Sequence, residues 1–178
     1  MKIGLVRHFK VDIKKNRYMT SEGYNKYSYD YDFADVIPNE IVIDAEWDKC
    51  YCSSLPRALK TARTIYHGDI IPTDKLREVP ASAAFNFKYM LPYNLWAILS
   101  RFAWSINRSV NPEGKTVTQR RISEIIDTIL MDDSNNILIV SHAGTMFEIQ
   151  KILRRKGYRG PIFLKPKNGK LYVFEKKS

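Results

Sequence analysis

Residues 136–144, Asn-Ile-Leu-Ile-Val-Ser-His-Ala-Gly, place a continuous apolar run directly before a histidine and two small residues. The four apolar residues 137–140 predict a strand that is buried on both faces, which is typical of a parallel sheet. A helix is expected to follow over 144–156 and to end before Gly157. A buried strand that leads directly into a helix indicates an α/β fold.

Outward from this stretch, predicted strands and helices alternate along the chain. The predicted strands cover 3–6, 49–53, 69–72 and 170–175, and an amphipathic helix is predicted over 118–131. Another helix is expected to begin with Ser54 as its N-cap and Pro56 in its first turn, and to run to about Ile65. This alternation predicts a three-layer α/β/α architecture with a mostly parallel central sheet.

Length and composition indicate one globular domain over residues 1–178, with a mass of 20.8 kDa. A hydrophobic content of 44% with 27% charged residues excludes wholesale disorder. The most apolar stretch, 91–106, is too short for a membrane span and is interrupted by Arg101. A secretion signal is not expected, since only four apolar or small residues separate Lys2 from Arg7. We therefore expect a soluble, cytoplasmic protein with no membrane partner.

The chain is strongly basic, with 29 Lys and Arg against 19 Asp and Glu, a net charge of +10 and a pI near 9.6. Such a charge attracts anions, whether phosphate esters, nucleotides or nucleic acid, although a solvated basic surface is an equal interpretation. The two cysteines, Cys50 and Cys52, cannot build a disulfide framework and have no nearby partners for a metal site. We expect buried free thiols.

Histidines follow the two most convincing buried strands. His8 comes after the first strand with Arg7 beside it, and His142 comes after the strand over 136–141. Arg57 lies in the first helical turn after another strand. Because parallel strands end at one edge of the sheet, these four side chains are expected on the same rim.

Arg57 adds an electrostatic argument. A cation at a helix N-terminus is disfavoured by the helix dipole, whereas an anion there would accept hydrogen bonds from both the guanidinium and the backbone amides. The helix start at 143–144 offers further amides that could face a phosphate. The pattern predicts an anion site with an imidazole nucleophile, although Arg57 could also turn into solvent.

The sequence carries four short motifs in order: Leu-Val-Arg-His at 5–8, Ser-Ser-Leu-Pro-Arg-Ala-Leu-Lys-Thr-Ala at 53–62, Leu-Arg-Glu at 76–78 and Val-Ser-His-Ala-Gly at 140–144. Together they resemble the histidine phosphatase superfamily, the phosphoglycerate mutase-like group, over nearly the whole chain. Met-Thr-Ser-Glu-Gly at 19–23 is also similar to the start of that family's first helix, with Thr20 as N-cap. The resemblance implies the phosphoglycerate mutase-like fold.

The resemblance also implies a mechanism. His8 would attack phosphorus and become a transient phosphohistidine, which water would then hydrolyse. Arg7, Arg57 and His142 would hold the phosphoryl oxygens and offset the charge of the transition state.

Glu78 would protonate the leaving oxygen and later help to activate water, because it occupies the position of the family's acid. Asp74 and Glu113 are weaker candidates for this role. The scheme implies no metal and no other cofactor.

The chain departs from the family at Phe9, where glycine commonly follows the nucleophilic histidine. Phenylalanine could reshape the site or give it an apolar wall, and Lys10 could either add a cation at the mouth or point to water. The candidate substrate-binding residues are therefore Arg7, Phe9, Lys10, Arg57, His142 and Ala143.

Residues 81–113 replace the Gly-rich continuation often seen after the family's acid with an aromatic segment. As an insert it could cap the site and select the leaving group, or its aromatics could fill the core; the core is preferred for Trp96, Leu99 and Phe102. The tyrosines of the first helix could stack on a base or ring: Tyr24, Tyr27, Tyr29 and Tyr31.

We predict a metal-independent phosphomonoesterase that acts on a phosphorylated small molecule or phosphoprotein. A catalytically weak relative that binds phospho-ligands or nucleic acid is the alternative, which Phe9 and the charge of +10 favour. The basic residues carry no recognisable nucleic-acid motif, so a nucleic-acid partner is not preferred. Phosphomutase activity is less expected, because the chain is short for the family's mutases.

Overall fold

The computed structural model describes residues 1–39, 41, 43 and 47–176. Within them the strands are β1 (Lys2–Arg7), β2 (Lys10–Val11), β3 (Tyr18–Met19), β4 (Val36–Ile37), β5 (Lys49–Ser53), β6 (Ile70–Thr73), β7 (Leu91–Pro92), β8 (Asn136–Ser141), β9 (Tyr158–Arg159) and β10 (Leu171–Lys176). The α-helices are α1 (Ser21–Phe33), α2 (Pro56–Ile65), α3 (Tyr93–Ser105), α4 (Lys115–Leu130) and α5 (Ala143–Arg155), and a short 3₁₀ turn covers Asp74–Leu76.

Six strands form the central sheet in the spatial order β6-β5-β8-β1-β10-β9. The strands β6, β5, β8 and β1 are parallel, whereas β10 runs antiparallel to β1 and β9 antiparallel to β10. Two short ladders, β2 with β4 and β3 with β7, lie apart from this sheet. The prediction of a mostly parallel sheet in an α/β fold is confirmed.

The side chains of β8 show why helices cover both faces of the sheet. Ile137 and Ile139 belong to a buried cluster with residues of α4 and α5. Leu138 and Val140 point the other way and pack with Ala58 of α2. Since successive side chains of a strand alternate between faces, one continuous apolar run serves both layers. The result is the predicted three-layer arrangement.

The predicted N-cap residue is confirmed for α1 and is wrong for α2. Thr20 caps α1, where its hydroxyl accepts a hydrogen bond from the Gly23 amide at 3.1 Å. Ser54 does not cap α2, whose N-cap is Leu55 without a side-chain bond. The Ser54 hydroxyl instead bonds the Asp74 carboxylate and accepts from Arg77 Nε. The charged partners after β6 compete successfully for this hydroxyl.

Segment 81–113 packs against α1 rather than on the sheet. Trp96 is fully buried in a separate cluster with Met19 and Tyr24, and its indole nitrogen donates to the Met19 carbonyl at 2.9 Å. The expected core position of Phe102 is wrong, because its side chain is 62% exposed. Helix α3 has a packing partner on one side only, so its opposite face, including Ile98, remains exposed.

Cys50 and Cys52 lie side by side on the α2 face of β5 as buried free thiols, as expected. Burial raises the pKa of the Cys50 thiol to about 12 and raises that of Cys52 as well. In the described part of the chain, no helix combines the length and apolar character needed to cross a membrane.

Candidate active site

Three strands of the sheet end together and form what we call the strand-end rim, residues 7–8, 53 and 141–142. Arg7, the last residue of β1, is paired in register with Ser141, the last residue of β8. His8 and His142 therefore follow side by side, with ring centroids 5.0 Å apart. Parallel pairing alone brings together two side chains that are far apart in sequence.

His8 is held with one ring nitrogen available. Its backbone amide donates to the Ser141 carbonyl at 2.9 Å, and its side chain is 1% exposed. Nδ1 lies 2.6 Å from the Phe9 carbonyl oxygen, which can only accept, so Nδ1 carries the proton and Nε2 presents a lone pair. Burial, followed by the charges of Arg57 and Arg7, lowers the pKa of His8 to about 3, so the ring is neutral at physiological pH.

Phe9 acts through its backbone. Its carbonyl orients His8, and its amide donates to Thr61 Oγ1 of α2 at 2.9 Å. The side chain is fully buried beside Val11 and Val36, which turns it away from the rim. Lys10 lies exposed on β2. The side chains of both predicted substrate contacts therefore lie outside the cavity described below, because β2 and β4 draw this segment into their own apolar cluster.

Arg57 is buried beside His8 rather than turned into solvent. Its side chain is 1% exposed, and Nη1 donates to Asp32 Oδ1 at 2.8 Å and to the Asp32 carbonyl at 3.2 Å at the end of α1. Its Nε is buried and has no hydrogen-bond partner among the residues that the structure describes. Asp32 was not predicted as a site residue, although it belongs to a visible acidic group with Asp30 and Asp35.

Near His8, two further buried nitrogens lack a hydrogen-bond partner among the described residues. One is Arg7 Nε, whose guanidinium is fixed by a bond from Nη1 to the Pro166 carbonyl at 2.9 Å. The other is His142 Nδ1, whose ring is fixed by a hydrogen bond of 2.7 Å between Nε2 and Ser53 Oγ. Burial, followed by the charge of Arg57, holds the pKa of His142 well below its ordinary value, so this ring is neutral too.

The carboxylate of Glu78 lies at the N-terminus of helix α5. Its Oε1 accepts from the amides of Val79 at 2.8 Å and Thr145 at 3.1 Å, and its Oε2 accepts from the amide of Gly144 at 3.2 Å. The predicted amide site for phosphate at 143–144 is therefore corrected, because the Glu78 carboxylate already binds the Gly144 amide. A Cβ atom on Gly144 would lie 2.7 Å from Glu78 Oε1, so a larger residue there would displace the carboxylate.

The other carboxylates considered as acids lie elsewhere. Asp74 is an exposed residue bound to Ser54 and Arg77, and Glu113 is bound by Arg121 and Thr118. Neither lines the cavity that Glu78 lines. Ala143 lines a neighbouring cleft of about 430 Å³ rather than this cavity.

A cavity of about 420 Å³ opens above the rim, and we call it the active-site cavity. Arg7, Arg57 and Glu78 line it on the side of the sheet. Its other walls are α1 and segment 81–113, which together we call the cover; the cover residues include Tyr24, Tyr27, Tyr31, Asp32, Tyr93 and Arg101. His8 and His142 lie beneath these walls with almost no exposed surface.

The site is built for an anion rather than for a cation. Its charged side chains beside His8 are two arginines, and its unpartnered nitrogens belong to Arg7, Arg57 and His142. Over residues 1–39, 41, 43 and 47–176, no three His, Cys, Asp or Glu side chains are grouped closely enough to bind a metal ion.

The structure thus brings two histidines and two arginines together at the carboxyl ends of a parallel sheet. The family model of the histidine phosphatase superfamily (branch 1) matches residues 40–176, and the chain belongs to this superfamily. The matched range contains Arg57, Glu78 and His142 and begins after His8. No curated protein matches the sequence significantly.

Solved structures share the fold at low sequence identity. The α-ribazole phosphatase from Shigella flexneri is 18% identical with a TM-score of 0.57, over 97% of this chain and 89% of that one. YhfR from Bacillus stearothermophilus is 16% identical with a TM-score of 0.58, over 98% and 90% of the two chains. Phosphoserine phosphatase from Entamoeba histolytica is 17% identical with a TM-score of 0.54, over 86% and 80%. These likenesses extend to the region before residue 40, where His8 lies.

Proposed function

We propose that the protein is a metal-independent phosphomonoesterase that forms a phosphohistidine on His8. The observation that carries this proposal is the group of three buried, unpartnered nitrogens around His8: Arg7 Nε, Arg57 Nε and His142 Nδ1. A buried polar atom without a partner costs free energy, and a phosphoryl group offers several acceptor oxygens. The two guanidinium groups would bind it with charge-assisted hydrogen bonds.

The first half-reaction uses the lone pair of His8 Nε2. A bond forms between Nε2 and phosphorus while the bond between phosphorus and the leaving oxygen breaks. The bond from Nδ1 to the Phe9 carbonyl keeps the correct tautomer and supports the positive charge that develops on the ring. Arg7, Arg57 and His142 offset the charge on the phosphoryl oxygens.

Glu78 would supply the proton that the leaving oxygen takes. Its Oε1 accepts two amide bonds, whereas Oε2 accepts one and keeps a further lone pair at which a proton can be carried. In the second half-reaction a water gives its proton to Glu78 and attacks phosphorus, and the bond to Nε2 breaks. Inorganic phosphate leaves, and the protein returns to its first state.

Hydrolysis of p-nitrophenyl phosphate in excess chelator tests this function. We expect turnover by the wild type, loss of at least about 10³-fold in His8→Ala, and no change in His67→Ala, a histidine exposed at the end of α2. Acid-labile, alkali-stable phosphate on the wild type after rapid quenching would identify the intermediate. Equal rates in wild type and His8→Ala, or turnover abolished by chelator, would contradict the proposal.

Leaving groups of different acidity test the role of Glu78. Glu78→Gln should lose about 10²-fold or more on alkyl phosphates and much less on p-nitrophenyl phosphate, whose leaving group needs no proton. Equal losses on both substrates would assign the acid to another residue.

A phospho-ligand binding module is the second candidate, and one observation favours it. His8 is only 1% exposed beneath the cover, and Arg57 is already paired with Asp32. Binding of inorganic phosphate without any turnover of the substrates above would favour this function over the enzyme.

A further inference from the structure

We propose that the active-site cavity selects phosphate monoesters whose leaving group is an aromatic ring that carries a second negative charge. This inference rests on the proposed function and names its substrate class. It comes from two features that the reaction itself does not use: an aromatic wall on the cover, and two cations, Arg101 and Lys15, that lie close to that wall.

The aromatic wall begins beside the nucleophile. The ring of Tyr31 meets His8 edge-on at 6.4 Å, Tyr27 lies 6.0 Å from Tyr31, and Tyr93 lies 5.4 Å from Tyr27. Tyr24 backs Tyr93 at 5.8 Å. A ring attached to a phosphate at His8 would therefore meet other rings along its whole length, in the edge and offset geometries that aromatic pairs prefer.

Two tyrosines of this wall, Tyr27 and Tyr93, are neutral at physiological pH. Burial raises the pKa of Tyr93 to about 12 and raises that of Tyr27 as well. Their phenols therefore keep their protons and add no negative charge that would repel an anionic substrate.

Two cations lie close to Tyr93 in this wall. Arg101 lines the cavity, and Lys15 Nζ lies 4.6 Å above the ring of Tyr93. Neither has a carboxylate within salt-bridge distance in the described part of the chain, a state that they share with many other lysines and arginines; Arg101 is set apart by its place in the wall of the cavity. A carboxylate or phosphate on the far side of the substrate ring would supply the missing counter-charge.

The same cations argue against a cationic leaving group. An aromatic wall alone could hold a quaternary ammonium group, as aromatic cages do. With Lys15 already over Tyr93 and Arg101 beside it, a second positive charge would meet repulsion. Phosphocholine is therefore a rival ligand that the experiment must include.

Binding to the His8→Ala variant tests the inference apart from turnover, because esters stay intact there. We would measure Kd by calorimetry for 4-carboxyphenyl phosphate, its neutral isostere 4-carbamoylphenyl phosphate, cyclohexyl phosphate and phosphocholine. The carboxyphenyl ester should bind about five- to tenfold tighter than the carbamoyl ester. The carbamoyl ester should bind several-fold tighter than cyclohexyl phosphate, and phosphocholine weakest. If His8→Ala does not fold, inhibition of the wild type by the matching phosphonates should give the same order.

Arg101→Gln should reduce the preference for the carboxylate to about twofold or less, with little change for the carbamoyl ester. Arg108→Gln is the matched control, since Arg108 is an exposed residue of the same segment outside the cavity. Equal binding of charged and neutral rings, tighter binding of phosphocholine, or a preference that survives in Arg101→Gln would overturn the inference. Failure of the proposed function would look different, as an intact binding order in a protein without turnover.

Discussion

The strand-end rim and the cover face each other across one cavity but are held by different interactions. The rim is fixed by backbone pairing within the sheet and by short bonds such as His8 Nδ1 to the Phe9 carbonyl. The cover is held by a small aromatic cluster around Trp96, apart from the sheet. The contrast indicates that the groups assigned to chemistry are placed by the sheet and α2, whereas the groups proposed to meet the leaving group lie on elements outside the sheet.

The first prediction tests whether the cover has a hydrophobic core of its own around Trp96. Trp96→Ala should lower the free energy of unfolding by about 3–5 kcal/mol, because it empties the centre of the cluster and leaves the Met19 carbonyl without its donor. Urea denaturation measures the loss. Phe102→Ala, at an exposed position of the same helix, should change stability by no more than about 0.5 kcal/mol. Similar losses in the two variants would mean that the cover has no core of its own.

The second prediction removes the buried charge of Arg57 beside the rim. Arg57→Ala should reduce kcat/KM on p-nitrophenyl phosphate by about 10²–10³-fold, because it removes a buried cation beside the nucleophile. Arg63→Ala, an exposed arginine in the last turn of the same helix, should retain wild-type activity. An equal loss in both variants would place the effect in the helix rather than in the site.

The third prediction concerns Thr61, whose side chain binds the backbone of Phe9 next to the rim. The hydroxyl of Thr61 accepts from the buried Phe9 amide, so its removal should cost about 1–2 kcal/mol of unfolding free energy. Thr64→Val is the control. Both threonine hydroxyls donate to a carbonyl one turn earlier in α2, but the hydroxyl of Thr64 is exposed. A Thr64→Val variant as unstable as Thr61→Val would assign the effect to the helical bond instead.

Above the pH range in which carboxylates titrate, the pH dependence of stability should arise from the rim. His8 and His142 have pKa values below those of the unfolded chain, so the unfolded state binds more protons as the pH falls. Their contribution is complete above pH ~6.5 and is lost progressively toward pH 3, with about 1 kcal/mol lost between pH 7 and 6. Urea midpoints across this range, compared between wild type and His8→Gln, give the measurement. An unchanged slope in the variant would exclude His8 as a source.

The sequence predicted the rim better than the cover, and the reason is physical. A continuous apolar run such as 137–140 is a local signal, and parallel pairing then places His8 and His142 together without further information. The partner of Arg57 is a long-range contact, since Asp32 lies 25 residues away on another helix. Glu78 likewise reaches the Gly144 amide across 66 residues, which no local pattern reveals. The predicted burial of Phe102 was wrong because only one face of α3, the face with Trp96, is covered by other elements, and the sequence does not show which face that is.

The two thiols of β5 determine how this protein should respond to the thiol reagents that inactivate phosphatases with a cysteine nucleophile. Cys50 and Cys52 keep their protons and are sealed beneath α2, so neither offers a thiolate to iodoacetamide or hydrogen peroxide. Thiol reagents that inactivate cysteine-dependent phosphatases should therefore leave Cys50 and Cys52 of the folded protein unmodified.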